Sequence, residues 1–152
     1  MERILRVSVF RCIACGKCEL ACAFAHGREG RPAAARIRVL SQGPDRGIPL
    51  VCLQCHEAAC VAVCPVGALS RDPERGVVVL SEARCIRCGV CVAACPFGAM
   101  LPEEDGRVAK CDLCGGAPRC VPFCPTGALE YLPAEAAQRG PAADGTRDAP
   151  RA

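Results

Sequence analysis

Sixteen cysteines in a chain of 152 residues constrain this fold more than any other feature. They fall into four groups of four with none left over: Cys12, Cys15, Cys18 and Cys22; Cys52, Cys55, Cys60 and Cys64; Cys85, Cys88, Cys91 and Cys95; Cys111, Cys114, Cys120 and Cys124. Such density points to a disulfide scaffold or to a metal protein. The first ten residues, MERILRVSVF, offer neither the apolar run of a secretory leader nor a twin-arginine pair. No stretch approaches the roughly 18–20 apolar residues that a membrane span needs. The chain is therefore expected in the cytoplasm, with any membrane association or export supplied by a partner. Structural disulfides are rare there, so the metal reading is preferred. It also answers a shortage of conventional core: there is no Trp, one Tyr and four Phe, so something besides large apolar side chains must hold the chain together.

The spacing identifies the metal chemistry. The third group reads C-x2-C-x2-C-x3-C-P, the bacterial ferredoxin run. Three closely spaced thiolates wrap one iron–sulfur cubane, while the fourth Cys, further along a short helix, reaches the other cluster of a pair. The first group has the same spacing without the Pro. The second and fourth widen one gap, to x4 and x5, which a broader loop can absorb. Structural zinc uses C-x2-C knuckles in pairs and would leave the third and fourth Cys of each group without a role. The C-x3-C-x2-C triplet of adenosylmethionine radical enzymes is absent. The expected cofactors are four 4Fe-4S clusters held by all sixteen cysteines.

Those clusters change the charge balance. The formal +3 counts every Cys as neutral. An oxidised cluster with its four thiolates carries about −2, so four of them bring the chain to about −5. The basic formal charge is therefore no argument for nucleic-acid binding.

Short strands and helices are expected around the groups, giving an α+β fold. Strands are predicted at Ile4–Phe10, Arg36–Leu40 and Leu129–Leu132. Hairpins are predicted between Ala68–Ser70 and Gly76–Leu80, and between Ala99–Leu101 and Arg107–Ala109. Helices are predicted at Lys17–Ala25, Glu57–Val63, Gly89–Ala94 and Pro118–Phe123, three of the groups being closed by the Pro that follows their last Cys. The long Cys-free interval Ala23–Val51 carries loop signals at Arg28–Pro32 and Gly43–Gly47. Residues 133–152 lack an apolar period and are expected to form a disordered tail. His26 and His56 are read as ordinary polar surface. Gly67, Gly98 and Gly127 are expected to turn the backbone beside a cluster. For Lys110, Arg84 and Arg87 the sequence leaves two roles open, offsetting cluster charge or forming a solvated basic face that could meet an acidic partner.

The motifs Cys15-Gly16-Lys17-Cys18-Glu19-Leu20-Ala21-Cys22, Cys88-Gly89-Val90-Cys91 through Cys95-Pro96-Phe97-Gly98-Ala99, and Lys110-Cys111-Asp112-Leu113-Cys114 carry a family resemblance. Over residues 3–132 the chain resembles the four-cluster iron–sulfur subunits of the dimethyl sulfoxide reductase type. It is most like the short forms that serve carbon monoxide dehydrogenase, hydrogenases, and molybdenum or tungsten formate and aldehyde oxidoreductases. The resemblance implies two ferredoxin-like dicluster modules, the second inserted in the first: residues 1–50 with 108–132, and 51–107. It implies cluster A on Cys12, Cys15, Cys18 and Cys124; cluster B on Cys22, Cys111, Cys114 and Cys120; cluster C on Cys52, Cys55, Cys60 and Cys95; and cluster D on Cys64, Cys85, Cys88 and Cys91. Spacing alone also allows a tandem pairing of groups one with two and three with four.

The expected function is a non-catalytic relay, passing single electrons between a catalytic redox subunit and another redox partner. A stand-alone polyferredoxin is the nearest alternative. A small catalytic iron–sulfur oxidoreductase would need an open iron or a second cofactor site, and the chain has neither a Gly-rich dinucleotide fingerprint nor a P-loop lysine. A nucleic-acid regulator would need a recognition helix or a surviving basic face, and the sequence offers neither.

Overall fold

Runs of two to five strand residues between turns can pair with little more than one neighbour, and the computed structural model, which describes residues 3–137, shows that arrangement. Four separate two-stranded antiparallel ribbons form: β1 (Arg3–Val7) with β8 (Leu129–Pro133), β2 (Ile37–Ser41) with β3 (Gly47–Val51), β4 (Leu69–Arg71) with β5 (Val78–Leu80), and β6 (Leu101–Pro102) with β7 (Val108–Ala109). Helices are short too: α1 (Lys17–Ala25), α2 (Ala59–Ala62), α3 (Val90–Ala94) and α4 (Ala134–Ala137). The result is a small α+β fold.

The β1–β8 ribbon joins the two ends of the described chain. Arg6 stands opposite Glu130 in the register and donates to one carboxylate oxygen from both Nε, at 3.0 Å, and Nη2, at 2.5 Å. The Arg3 guanidinium lies 4.8 Å from the centroid of the Tyr131 ring, a cation–π contact at the same edge. In β3, Pro49 faces Val39; a two-stranded ribbon has only edge strands, so the missing N–H is tolerated. Asp72 closes the β4–β5 hairpin by accepting the main-chain N–H groups of Glu74 and Arg75.

Two small cores result, and cysteine is part of both. One gathers Leu5, Ile37, Val51, Val77, Leu113 and Leu129 with Cys18, Cys22, Cys111 and Cys120. The other gathers Leu69, Val78, Met100 and Val108, with Cys60, Cys64, Cys91 and Cys95 packed against it.

Several expectations need correction. The first strand ends at Val7, and Val9–Arg11 form a 3-10 turn. Pro118–Phe123, expected as a helix, is a run of turns. Gly47–Val51, where no strand was expected and Gly47 falls in a predicted loop, is a strand. The expected tail begins with ordered residues: Pro133 pairs with Arg3, and α4 follows it. Residues 138–152 lie outside the described part.

Candidate metal centre

Each Cys group opens on a knuckle with the same backbone anomaly. The residue just before the second Cys is Ala14, Gln54, Arg87 or Leu113, and its φ is +54°, +54°, +58° or +55°. Non-glycine residues avoid this left-handed region, at a cost of about 1–2 kcal/mol each. Four repeats at the equivalent position mark a shared constraint of the kind found at functional sites. The turn curls the chain around a common centre and lets two thiols of a C-x2-C pair face it. No propensity in Ala, Gln, Arg or Leu announces this conformation, so the sequence reading missed it.

The thiols converge in sets drawn from different groups. Cys12, Cys15, Cys18 and Cys124 line one cavity, with Gly16 and Thr126 beside them. Cys64, Cys85, Cys88 and Cys91 line a second, walled by Pro65, Ile86 and Val90. A third set is deeply placed: Cys22, Cys111 and Cys120 are buried and Cys114 is half-buried. Burial pushes the Cys120 thiol up to about 12, and the nearby Cys111, Cys22 and Cys114 add to the effect. Burial likewise raises Cys111 to about 12 and Cys18 to about 11. Burial also raises Cys60, and Cys52 and Cys95 stand close enough to push the same way. Cys55, half-buried, follows Cys52 on its knuckle.

The sulfurs are spread too widely for zinc. Four thiolates about 2.3 Å from a tetrahedral ion would lie about 3.8 Å from one another. Among the described residues no three cysteine sulfurs fall mutually within 4.8 Å. The tight group of three candidate donors among the described residues is His26, Asp112 and Cys114, whereas the cysteine sulfurs are spaced openly, which fits an iron–sulfur core with the irons at its corners rather than one central ion.

Main-chain N–H groups point at these sulfurs. Ala68 donates to Cys64 Sγ at 3.2 Å and Ala128 to Cys124 Sγ at 3.1 Å, each just after a glycine at positive φ, Gly67 or Gly127. Hydrogen bonds from Leu69 and its neighbours hold the Cys64 thiol below its ordinary range. At Cys124 burial pushes upward, but the Leu129, Thr126 and Ala128 donors outweigh it. Arg36 donates its N–H to Cys22 Sγ at 3.2 Å. Such bonds favour the thiolate, the form that binds metal.

His26 is not ordinary surface. It is half-buried, with Nε2 3.5 Å from Cys114 Sγ and 3.9 Å from Asp112 Oδ1. His56 is exposed. The three cations left open by the sequence separate: Lys110 is 3 % exposed, whereas Arg84 and Arg87 are exposed and donate to the Val66 and Asp105 carbonyls.

Known proteins agree with this chemistry. Residues 47–132 match the model of a 4Fe-4S dicluster domain, and residues 10–25 match a 4Fe-4S binding domain. The polyferredoxin-like subunit of aliphatic sulfonate oxidoreductase from Pyrococcus furiosus is 43% identical, over 81% of this chain and 72% of its own length. The beta subunit of NADH-dependent phenylglyoxylate dehydrogenase from Aromatoleum evansii is 40% identical over 80% of this chain, which spans only 28% of that longer protein. The electron transport protein HydN of Escherichia coli is 35% identical over 85% of this chain and 87% of its own length. No helix among the described residues is long and apolar enough to cross a membrane.

Proposed function

This chain belongs to the 4Fe-4S dicluster domain family and is an electron-transfer iron–sulfur protein, and from that premise we propose that it holds four 4Fe-4S clusters and relays single electrons between a catalytic redox subunit and a second redox partner. The observation that carries the reading is the pair of four-thiol cavities, one on Cys12, Cys15, Cys18 and Cys124 and the other on Cys64, Cys85, Cys88 and Cys91. Each takes three thiols from one group and one from another, as ferredoxin pairs do. Cluster B is assigned to Cys22, Cys111, Cys114 and Cys120, and cluster C to Cys52, Cys55, Cys60 and Cys95.

When bound, each cluster accepts and releases one electron. The chain does the rest. Its thiolates hold the irons, its N–H groups tune the sulfurs, and its burial of Cys22, Cys111 and Cys120 keeps water from one inner site. Cys15 and Cys88 are the two exposed cysteines, which favours A and D as the sites that meet partners. The β1–β8 ribbon and the joint cavity of groups one and four support the nested arrangement of modules over the tandem one. Relatives named as subunits of an oxidoreductase and a dehydrogenase support docking to a larger catalytic subunit. In this role the chain itself is not the catalyst. Molybdenum or tungsten enzymes, a hydrogenase and carbon monoxide dehydrogenase are the classes of partner the motif resemblance suggests.

Anaerobic iron and sulfide analysis tests the proposal. The expected value is about sixteen of each per chain; about eight irons, or stoichiometric zinc, overturns it. Cys124→Ser separates the pairings. Its EPR defect should match that of Cys15→Ser; a match to Cys88→Ser would establish the tandem order.

A further inference from the structure

Lys110 is a buried cation with no anionic side-chain partner among the described residues. Its ammonium donates to the Cys111 carbonyl at 2.5 Å, to the Val78 carbonyl at 2.8 Å and to Gln54 Oε1 at 3.4 Å. All three acceptors are neutral, and no described carboxylate forms an ion pair with it. A buried charge compensated only by dipoles is strongly unfavourable, so a counter-charge is to be sought nearby.

The surroundings supply one on each side. Cys111, next in the chain, belongs to the deep thiol set and to the first core. Val78 belongs to the second core, against which Cys60 and Cys95 pack. Gln54 sits on the Cys52–Cys55 knuckle. Its amide donates to the Cys111 carbonyl at 2.8 Å and its Oε1 accepts the Val78 N–H at 2.9 Å. Lys110 and Gln54 thus bind the knuckles of groups two and four to each other. The ammonium therefore sits where the two thiol sets meet, bonded to the Cys111 carbonyl on one side and to Val78, in the core that Cys60 and Cys95 pack against, on the other.

We propose that the Lys110 ammonium is a fixed positive charge shared by inner clusters B and C, neutralised by their thiolates, and that it raises the reduction potential of both. The inference rests on the four-cluster assignment above. Adding an electron makes a cluster more negative, and a nearby cation in a medium of low dielectric favours that state. A single cation serving both sites moves their potentials together, which keeps the crossing between the two modules close to level. Nothing in this role requires Lys110 to gain or lose its proton.

The test is EPR-monitored potentiometry on the full iron-loaded chain, with iron counted first. In Lys110→Met two of the four midpoint potentials should fall, each by at least tenfold in the one-electron equilibrium constant (about 59 mV), while the other two stay. Lys110→Arg should keep all four. If Lys110→Met loses iron, Gln54→Glu carries the test, since a carboxylate against the ammonium should cancel its field and lower the same two potentials. Fully loaded variants with unchanged potentials would overturn the proposal, as would an equal fall in Lys110→Arg. A wild-type count near eight irons defeats the four-cluster reading instead, and is seen before any potential is measured.

Discussion

Arg36 and Asp112 form an ion pair at 2.8 Å that joins the segment after the first Cys group to the knuckle of the fourth. Each partner also holds a cysteine: the Arg36 N–H reaches Cys22 Sγ, and Asp112 accepts the Cys114 N–H at 2.9 Å. Burial pushes the Asp112 carboxyl up, but the Arg36 charge and hydrogen bond outweigh it and hold the group below its ordinary value of 3.8. A depressed carboxyl adds stability that is present above its unfolded value and lost as pH falls through the folded one. Asp112→Asn should therefore cost about 1 kcal/mol, allowing for the pair's partial exposure. That deficit should be constant from about pH 8 to about pH 5. The urea midpoint for bleaching of the iron–sulfur absorbance checks it. A deficit that changes across this range would mean that His26, not Arg36, is the effective partner.

Gly47 and Ala14 meet beside Val39, which lines the first four-thiol cavity. A Cβ at Gly47 would lie 2.7 Å from Val39 Cγ1 and 3.1 Å from Ala14 Cβ, while the Gly47 N–H donates to the Cys12 carbonyl at 3.2 Å. Gly47→Ala should overpack this joint, cost about 1–3 kcal/mol and disturb the cluster on Cys12 first. Adding Val39→Ala should recover part of the loss, since the closest clash is with a side chain. The same urea midpoint, with EPR to identify the cluster lost, measures both. No recovery in the double variant would place the clash at Ala14.

The sequence was legible where local rules decide. Helix α1 is present over Lys17–Ala25 as expected, because Cys18 and Cys22 four residues apart share one face. The β4–β5 hairpin followed from Asp72-Pro73 and an apolar run. It was illegible where the constraint comes from outside the segment. Strand β3 contains Pro49 and exists through pairing with β2. The knuckle residues take positive φ although none is a glycine. The Arg36–Asp112 pair spans 76 positions in the chain, and no pattern in either segment points to the other. Lys110 shows the middle case: the sequence offered two roles, and its burial rules out the solvated basic face.

Cluster removal should unfold most of the chain. Isolated two-stranded ribbons are marginal in water, and both cores draw on cysteine. Ligand binding free energy is then also folding free energy. Circular dichroism and thermal melting of fully demetallated protein should show lost tertiary structure and no cooperative transition. A native-like melt would mean that the apolar residues suffice alone.

The order of the relay gives the sharpest functional prediction. Cys15 and Cys88 are exposed, whereas Cys22, Cys111 and Cys120 are buried. Tunnelling falls steeply with distance, so a docked partner can exchange electrons only with a site near the surface. The walls of the Cys88 cavity include exposed Ile86 and Val90, and Phe10 is exposed two residues before Cys12. Both places offer apolar contact of the kind that docking buries. Cys15→Ser should damage cluster A and Cys88→Ser cluster D, with the other three retained. One variant should then lose reduction by one partner and the other should lose oxidation by the second. The two half-reactions are measured separately on each variant, after EPR has established which clusters remain. If both variants lose the same half-reaction and keep the other, A and D are not the two ends, and the pairing of groups one and four fails with them.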